Sequence, residues 1–194
     1  ETFESAPELR TNVDNSNFVI TRGDNIQIEL EKPGDALRLA LLLKSAINKI
    51  GLNRGNRTKP AIDVRIALGI GNISGKRENV NESTGDAYTF SGRTLDSMKK
   101  FKRTLAIKTF DKELDAELET EFKLLEVIMS GWTVNAAEVI YWTLSGLNEK
   151  EISEKLNKSQ SAINQRKKTA GWSGIEALLQ RFTELTGKEL MNRP

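Results

Sequence analysis

Apolar positions along this chain repeat in two rhythms, and the change from one to the other marks its organisation. Residues 18–30 read FVITRGDNIQIEL. Two short apolar runs, Phe18–Ile20 and Ile26–Ile28, flank the polar tip Arg22-Gly23-Asp24-Asn25. That pattern predicts a hairpin, because Gly supplies positive φ and Asp and Asn tolerate left-handed geometry. Pro33 then opens a helix expected to run to about Ile50. Proline suits the first turn and Asp35 complements the helix dipole there. Leu37, Ala40, Leu41, Ile47 and Ile50 form its apolar stripe, and Gly51 can close it. Ile62–Ile70 alternates and is β-branched, so it predicts a strand. Residues 71–87 form a long polar loop with little structure of their own. A short helix is expected from Ser91 to about Lys102, and a strand from Thr104 to Phe110. Asp111–Ser130 carries Leu114, Leu118, Phe122, Leu125 and Met129 at helical spacing, which predicts a long amphipathic helix.

Beyond residue 131 only the helical rhythm remains. The order strand, strand, helix, strand, helix, strand, then helices predicts an α+β fold with a mostly antiparallel sheet and helices on one face. The expected units are an α+β domain over 1–110, a connecting amphipathic helix over 111–131 and an all-α domain over 132–194.

The second unit has a local grammar of its own. Ala136–Leu144 reads as a helix ended by Gly146. Asn148 with Glu151 three residues on is a capping-box arrangement. That helix ends at Leu156, Asn157 can take a left-handed turn, and Ser159 caps a third helix, Gln160–Thr169. Ile152 and Leu156 are expected to face inward with Ile163 between the helices, and small Ser153 permits close approach. The spacing is that of a helix-turn-helix. It resembles the DNA-binding end of LuxR-type regulators and of sigma factors. The competing reading is a plain helical hairpin. If the third helix reads DNA, Gln160, Ser161, Asn164 and Gln165 suit base edges, with Ser159 at its start. Lys158, Arg166, Lys167 and Lys168 suit phosphates. Trp172 reads as a core residue.

Charge sharpens this picture. The net charge is only +2, but Asp111–Glu126 holds seven acids and two lysines, whereas Lys158–Lys168 holds four bases and no acid. The basic segment points to a nucleic-acid contact. The 194 residues contain no cysteine and no histidine. That excludes disulfides, thiolate and imidazole metal sites, and histidine-based catalysis, and it fits a reducing cytoplasm. An enzyme built on this chain would need carboxylates, Lys, Arg, Tyr or a hard cation such as Mg²⁺. With 38% hydrophobic and 29% charged residues and no membrane-length apolar run, a water-exposed globular protein is expected.

The N-terminal unit carries a resemblance as well. GDNIQIELEKPGDALRLALLLKSAI, then VRIALGIG, then STGDAYTFSGRTLDSMKK, followed by a strand, resembles the catalytic domain of class III nucleotidyl cyclases. It is more distantly similar to diguanylate cyclases. The resemblance implies a palm-like, ferredoxin-related sheet domain. In such domains a Gly-Asp hairpin holds a divalent metal and a later helix carries an arginine near the triphosphate. Asp24 matches the metal ligand and Arg93 the nucleotide-binding arginine. Taken with the helix-turn-helix, the whole chain resembles the SatD family of bacterial proteins, most tellingly in RGDNIQIE, RIALGIG and SQSAINQRKKTAGW.

There are departures from the cyclase pattern. Cyclases place an asparagine four residues before the helix arginine, and Thr89 stands there. Their first strand, with a second metal carboxylate, is not visible in polar residues 1–17. The chain does not begin with Met, so that strand is expected upstream of Glu1. GIGNISG departs from the dinucleotide-binding glycine pattern and precedes a polar loop. No catalytic residue is assigned. Three readings of Asp24 stay open: a turn residue, a metal or nucleotide site used for binding, or part of a catalytic set.

The expectation for function is a cytoplasmic, DNA-binding transcriptional regulator with a degenerate cyclase-like sensor domain. Its partners would be DNA, a nucleotide and, because helix-turn-helix proteins read paired half-sites, a second copy of itself. The alternatives are an active metal-dependent nucleotidyl cyclase or phosphoryl-transfer enzyme, and a protein–protein adaptor using the acidic 111–126 face.

Overall fold

The computed structural model describes residues 18–21, 25–50, 59–75 and 84–191. The hairpin tip at 22–24, and with it Asp24, lies outside them. The chain runs β1 (Phe18–Thr21), β2 (Asn25–Ile28), a single 3₁₀ turn (Pro33–Asp35), α1 (Ala36–Asn48), β3 (Ile66–Gly69), β4 (Ile73–Gly75) and β5 (Thr84–Gly85). It continues through α2 (Asp86–Phe101), β6 (Leu105–Lys108), α3 (Lys112–Ser130), α4 (Val134–Leu144), α5 (Glu149–Leu156), α6 (Gln160–Thr169) and α7 (Trp172–Met191). The architecture is mixed α/β and mostly helical.

The sheet differs from the expected one. Among the described residues the strands form three separate two-stranded ladders. β1 and β2 pair antiparallel as the hairpin, with Phe18 opposite Ile28 and Thr21 opposite Asn25. β3 and β6 pair parallel, with Leu68 opposite Ile107. A mostly antiparallel sheet joining the hairpin to both later strands is therefore not what these residues build. Alternation over 62–70 overstated the strand, because its first part is held by a helix. Asn48 Nδ2 donates to the Ile62 carbonyl (2.9 Å), and Lys44 Nζ donates to Asp63 (2.8 Å) and the Val64 carbonyl (3.3 Å).

Two more boundaries move. The segment expected to be a loop over 71–87 contains β4 and β5, paired antiparallel. The helix expected from Ser91 begins at Asp86, five residues earlier. Glycine explains the packing at that point. A Cβ on Gly69 would lie 2.1 Å from the Ala87 carbonyl oxygen, so only glycine lets the first turn of α2 sit on the end of β3.

α1 is apolar almost all round and is correspondingly enclosed, with Leu37, Leu39, Ala40, Leu41 and Leu42 buried. It packs against α4, and Arg38 donates to the Leu144 carbonyl at the end of that helix. α3 is N-capped by Asp111, whose carboxylate accepts from Glu113 N–H (2.8 Å) and Leu114 N–H (3.2 Å). Its predicted stripe, Leu114, Leu118, Phe122, Leu125 and Met129, is buried as expected. α7 returns the chain to α1, α3 and the 3₁₀ turn, with the Phe182 ring 6.2 Å from that of Phe122. One continuous apolar cluster thus includes Leu41, Ile107, Phe122, Trp132, Ile140 and Phe182, crossing residues 110 and 132 without a break. Among the described residues no helix is long and apolar enough to cross a membrane.

Candidate nucleic-acid interface

The C-terminal helices are placed by local chemistry that the sequence displays openly. Thr133 caps α4 by accepting from Ala136 N–H (3.1 Å). Gly146, at φ 94°, turns the chain after it. Asn148 accepts from Lys150 N–H (3.0 Å) and Glu151 N–H (3.1 Å), while Glu151 accepts from Asn148 N–H (2.8 Å), which closes a capping box at the start of α5. Asn157 adopts φ 50°, ψ 53°, a left-handed conformation that asparagine tolerates better than most residues. Lys158 N–H then donates to the Ser153 carbonyl (3.0 Å). Ser159 caps α6 by accepting from Ala162 N–H (3.2 Å).

A small second core fixes the angle between these helices. Val139 of α4, Ile152 of α5 and Ile163 of α6 are each fully buried, with Trp142, Leu147 and Leu156 packed around them. α6 is tied to the main core at its other end, where Trp132 Nε1 donates to the carbonyl of Ala170 (3.0 Å).

The residues proposed to meet DNA divide into two sets. Lys158, Ser159, Gln160, Ser161, Gln165 and Lys168 are exposed. Ser161, Gln165 and Lys168 follow the spacing of one face of α6, and Lys158 precedes its N-cap. Asn164, Arg166 and Lys167 are half-buried. Lys167 Nζ lies 3.2 Å from Glu149 Oε1, and Asn164 Nδ2 donates to the same oxygen at 3.4 Å. Lys167 also stands 5.7 Å above the Trp172 ring. Glu149 is the residue the sequence reading missed. It lies in the first turn of α5, where an acid is ordinary dipole chemistry, and nothing local reveals that α6 will lie across it. Trp172 packs against the main core, as its sequence context suggested.

The N-terminal candidates are less assembled. Arg93 is exposed on α2, while Asp24 lies outside the described residues, so the pair is not placed relative to one another. Thr89, standing where cyclases carry an asparagine, donates its hydroxyl to the Gly85 carbonyl of its own helix turn (3.2 Å). Tyr88 donates to Glu29, a buried carboxylate just after β2, which ties α2 to the hairpin. Among the described residues no group of three or more carboxylates is arranged to hold a metal ion.

The acidic run over 111–126 is largely engaged inside the molecule. Asp111 caps α3, and Asp115 takes Thr109 N–H (2.7 Å) and Lys108. Glu117 pairs with Arg181 (2.9 Å), and Glu119 with Arg103 (2.7 Å). Glu126 accepts from Leu105 N–H (2.9 Å), Thr104 Oγ1 (3.1 Å), Thr104 N–H and Arg103. Burial opposes the charge of Glu126, but the two backbone donors and the guanidinium outweigh it and hold its pKa below the ordinary carboxylate value. No protein-family model, curated protein or solved structure matches the chain.

Proposed function

We propose that this chain is a DNA-binding regulator in which α6 enters the major groove and α5 supports it across the backbone. One observation carries the reading. Two short helices are joined through a left-handed Asn157, are locked by the Val139–Ile152–Ile163 cluster, and leave Ser161, Gln165 and Lys168 exposed on one face of α6 with Lys158 exposed just before its cap. Amide and hydroxyl groups on that face suit base edges and the two lysines suit phosphates. A plain helical hairpin needs the buried cluster but gives no reason for the outward face to lack acids. The resemblance to the SatD family supports the same reading. It also supports a cyclase-like N-terminal part that senses a nucleotide, with Arg93 as its contact and Asp24 as the ligand of a cation such as Mg²⁺. The adaptor reading loses ground because five of the seven acids between 111 and 126 have partners within the chain.

Selection of duplexes from a random pool, followed by measurement on the enriched site, tests the proposal. Gln165→Ala should cost about 1–3 kcal/mol on the enriched site and little on unrelated DNA. Absence of any enriched sequence, with no duplex binding at low salt, would overturn it.

A further inference from the structure

A cavity of about 560 Å³ lies between the end of α1, the chain at 59–63 and the last turns of α3. Its apolar lining is Val127 and Pro60, with buried Met129 and Trp132 behind them. Its rim is cationic: Lys44, Lys59, Lys102 and Lys123 line it against two carboxylates, Asp63 and Glu126. These charges do not cancel once their partners are followed. Asp63 is occupied by Lys44 at 2.8 Å, and Glu126 by Arg103 and backbone N–H groups. Lys123 reaches Glu119 at 3.0 Å, a carboxylate that Arg103 shares. Lys59 and Lys102 have no carboxylate partner among the described residues.

Two further details make this more than a patch of surface lysines. Lys44 is buried, with a side-chain exposure of 4%. Its ammonium carries three N–H donors, and two are accounted for, by Asp63 and the Val64 carbonyl. Lys102 sits at φ 54°, the left-handed residue that ends α2. That conformation is more costly for lysine than for the glycine or asparagine usual there, and a lysine is what stands at the cavity mouth.

We propose that this cavity binds a small phosphate monoester with an aromatic body. The volume falls within the ordinary range for small-molecule sites, about 300–1,000 Å³. A phosphate monoester carries a charge of about −1.5 to −2 at neutral pH, which matches the two unpaired lysines. The third donor of Lys44 adds a desolvated hydrogen bond, and desolvated charged bonds are the stronger kind. The aromatic body lies against Val127 and Pro60, the apolar side chains of the lining that reach solvent. The cavity shares no residue with α6, so the site stands or falls apart from the DNA reading.

Isothermal titration calorimetry of the full chain with 1-naphthyl phosphate tests this without DNA. Inorganic phosphate and 1-naphthol serve as the two halves of the probe. The intact ester should bind roughly tenfold or more tighter than either half. The double variant Lys59→Gln, Lys102→Asn should weaken it roughly tenfold. Both positions are exposed, and asparagine accepts the left-handed backbone more readily than lysine, so circular dichroism should stay unchanged and the melting temperature should not fall. The control Lys158→Ala, Lys168→Ala should bind the ester like the parent. No binding at millimolar ester, equal binding by the Lys59/Lys102 variant, inorganic phosphate as tight as the ester, or loss of binding in the control would each overturn the proposal.

Discussion

Removing Lys158 and Lys168 together should change how DNA binding responds to salt. Both side chains are exposed on the outward side of the α5–α6 unit, and neither has a carboxylate partner among the described residues. Each lysine that neutralises a phosphate contributes about 0.9 to the slope of log affinity against log salt. The double variant Lys158→Ala, Lys168→Ala should therefore have a slope shallower by about 1.8. Between about 50 and 200 mM salt that difference amounts to roughly a twelvefold smaller loss of affinity. Lys167 provides the internal contrast. It is already held 3.2 Å from Glu149, so Lys167→Ala should lower the slope by well under the ~0.9 of a free lysine. Fluorescence anisotropy with one labelled duplex across a salt series measures the parent, the double variant and the single variants Lys167→Ala and Lys168→Ala. Folding should be unaffected, since exposed substitutions away from caps and cores cost within about 0.5 kcal/mol. An unchanged slope in the double variant, or a Lys167→Ala effect equal to that of Lys168→Ala, would refute the placement of this face.

Two further outcomes follow from buried contacts. Glu126→Ala strands the N–H groups of Thr104 and Leu105 and unpairs Arg103, and should cost about 3 kcal/mol, read as a melting drop of roughly 6–12 °C. Because the folded pKa of Glu126 is depressed, its stabilisation is present above the unfolded carboxylate value of about 4.3. It is lost as pH falls through the lower folded value, so melts of parent and variant should converge in acid. Ile163→Ala opens the small cluster beneath α6 and should cost about 2–5 kcal/mol, with faster amide exchange concentrated in α5 and α6.

Features that depend on near neighbours in the chain were legible in the sequence. The Asn148–Glu151 box, the left-handed Asn157, the Ser159 cap and the α3 stripe each rest on residues within a few positions of one another, and all formed where expected. Features that depend on distant partners were not. Alternation at 62–64 promised strand, but those residues are claimed by Lys44 and Asn48 of α1. The parallel pairing of β3 with β6 depends on α2 crossing between them, and that crossing depends on Gly69 meeting Ala87. Glycine in RIALGIG was visible, but its role is a close approach that no local pattern encodes. The candidate site shows the same division. Residue types on α6 were readable, whereas the capture of Asn164 and Lys167 by Glu149 was not.

The same distinction bears on how α6 is aimed. Its inward face is fixed by Ile163 in a cluster drawn from three neighbouring helices. Its C-terminal end is fixed by a bond from Trp132, a residue of the main core that lies 38 positions away and also lines the cationic cavity. Helix direction is set by both attachments, so neither core alone determines which face of α6 points outward. The indole N–H is buried, and the carbonyl it satisfies belongs to the C-cap residue of α6, where backbone acceptors otherwise lack helical partners. Breaking that bond would leave a buried donor and acceptor unmade, which costs more than the bond contributes in balance with water. The main core therefore reaches the proposed interface through a contact that resists being shed, and the orientation of α6 is a property of the whole chain rather than of its last sixty residues.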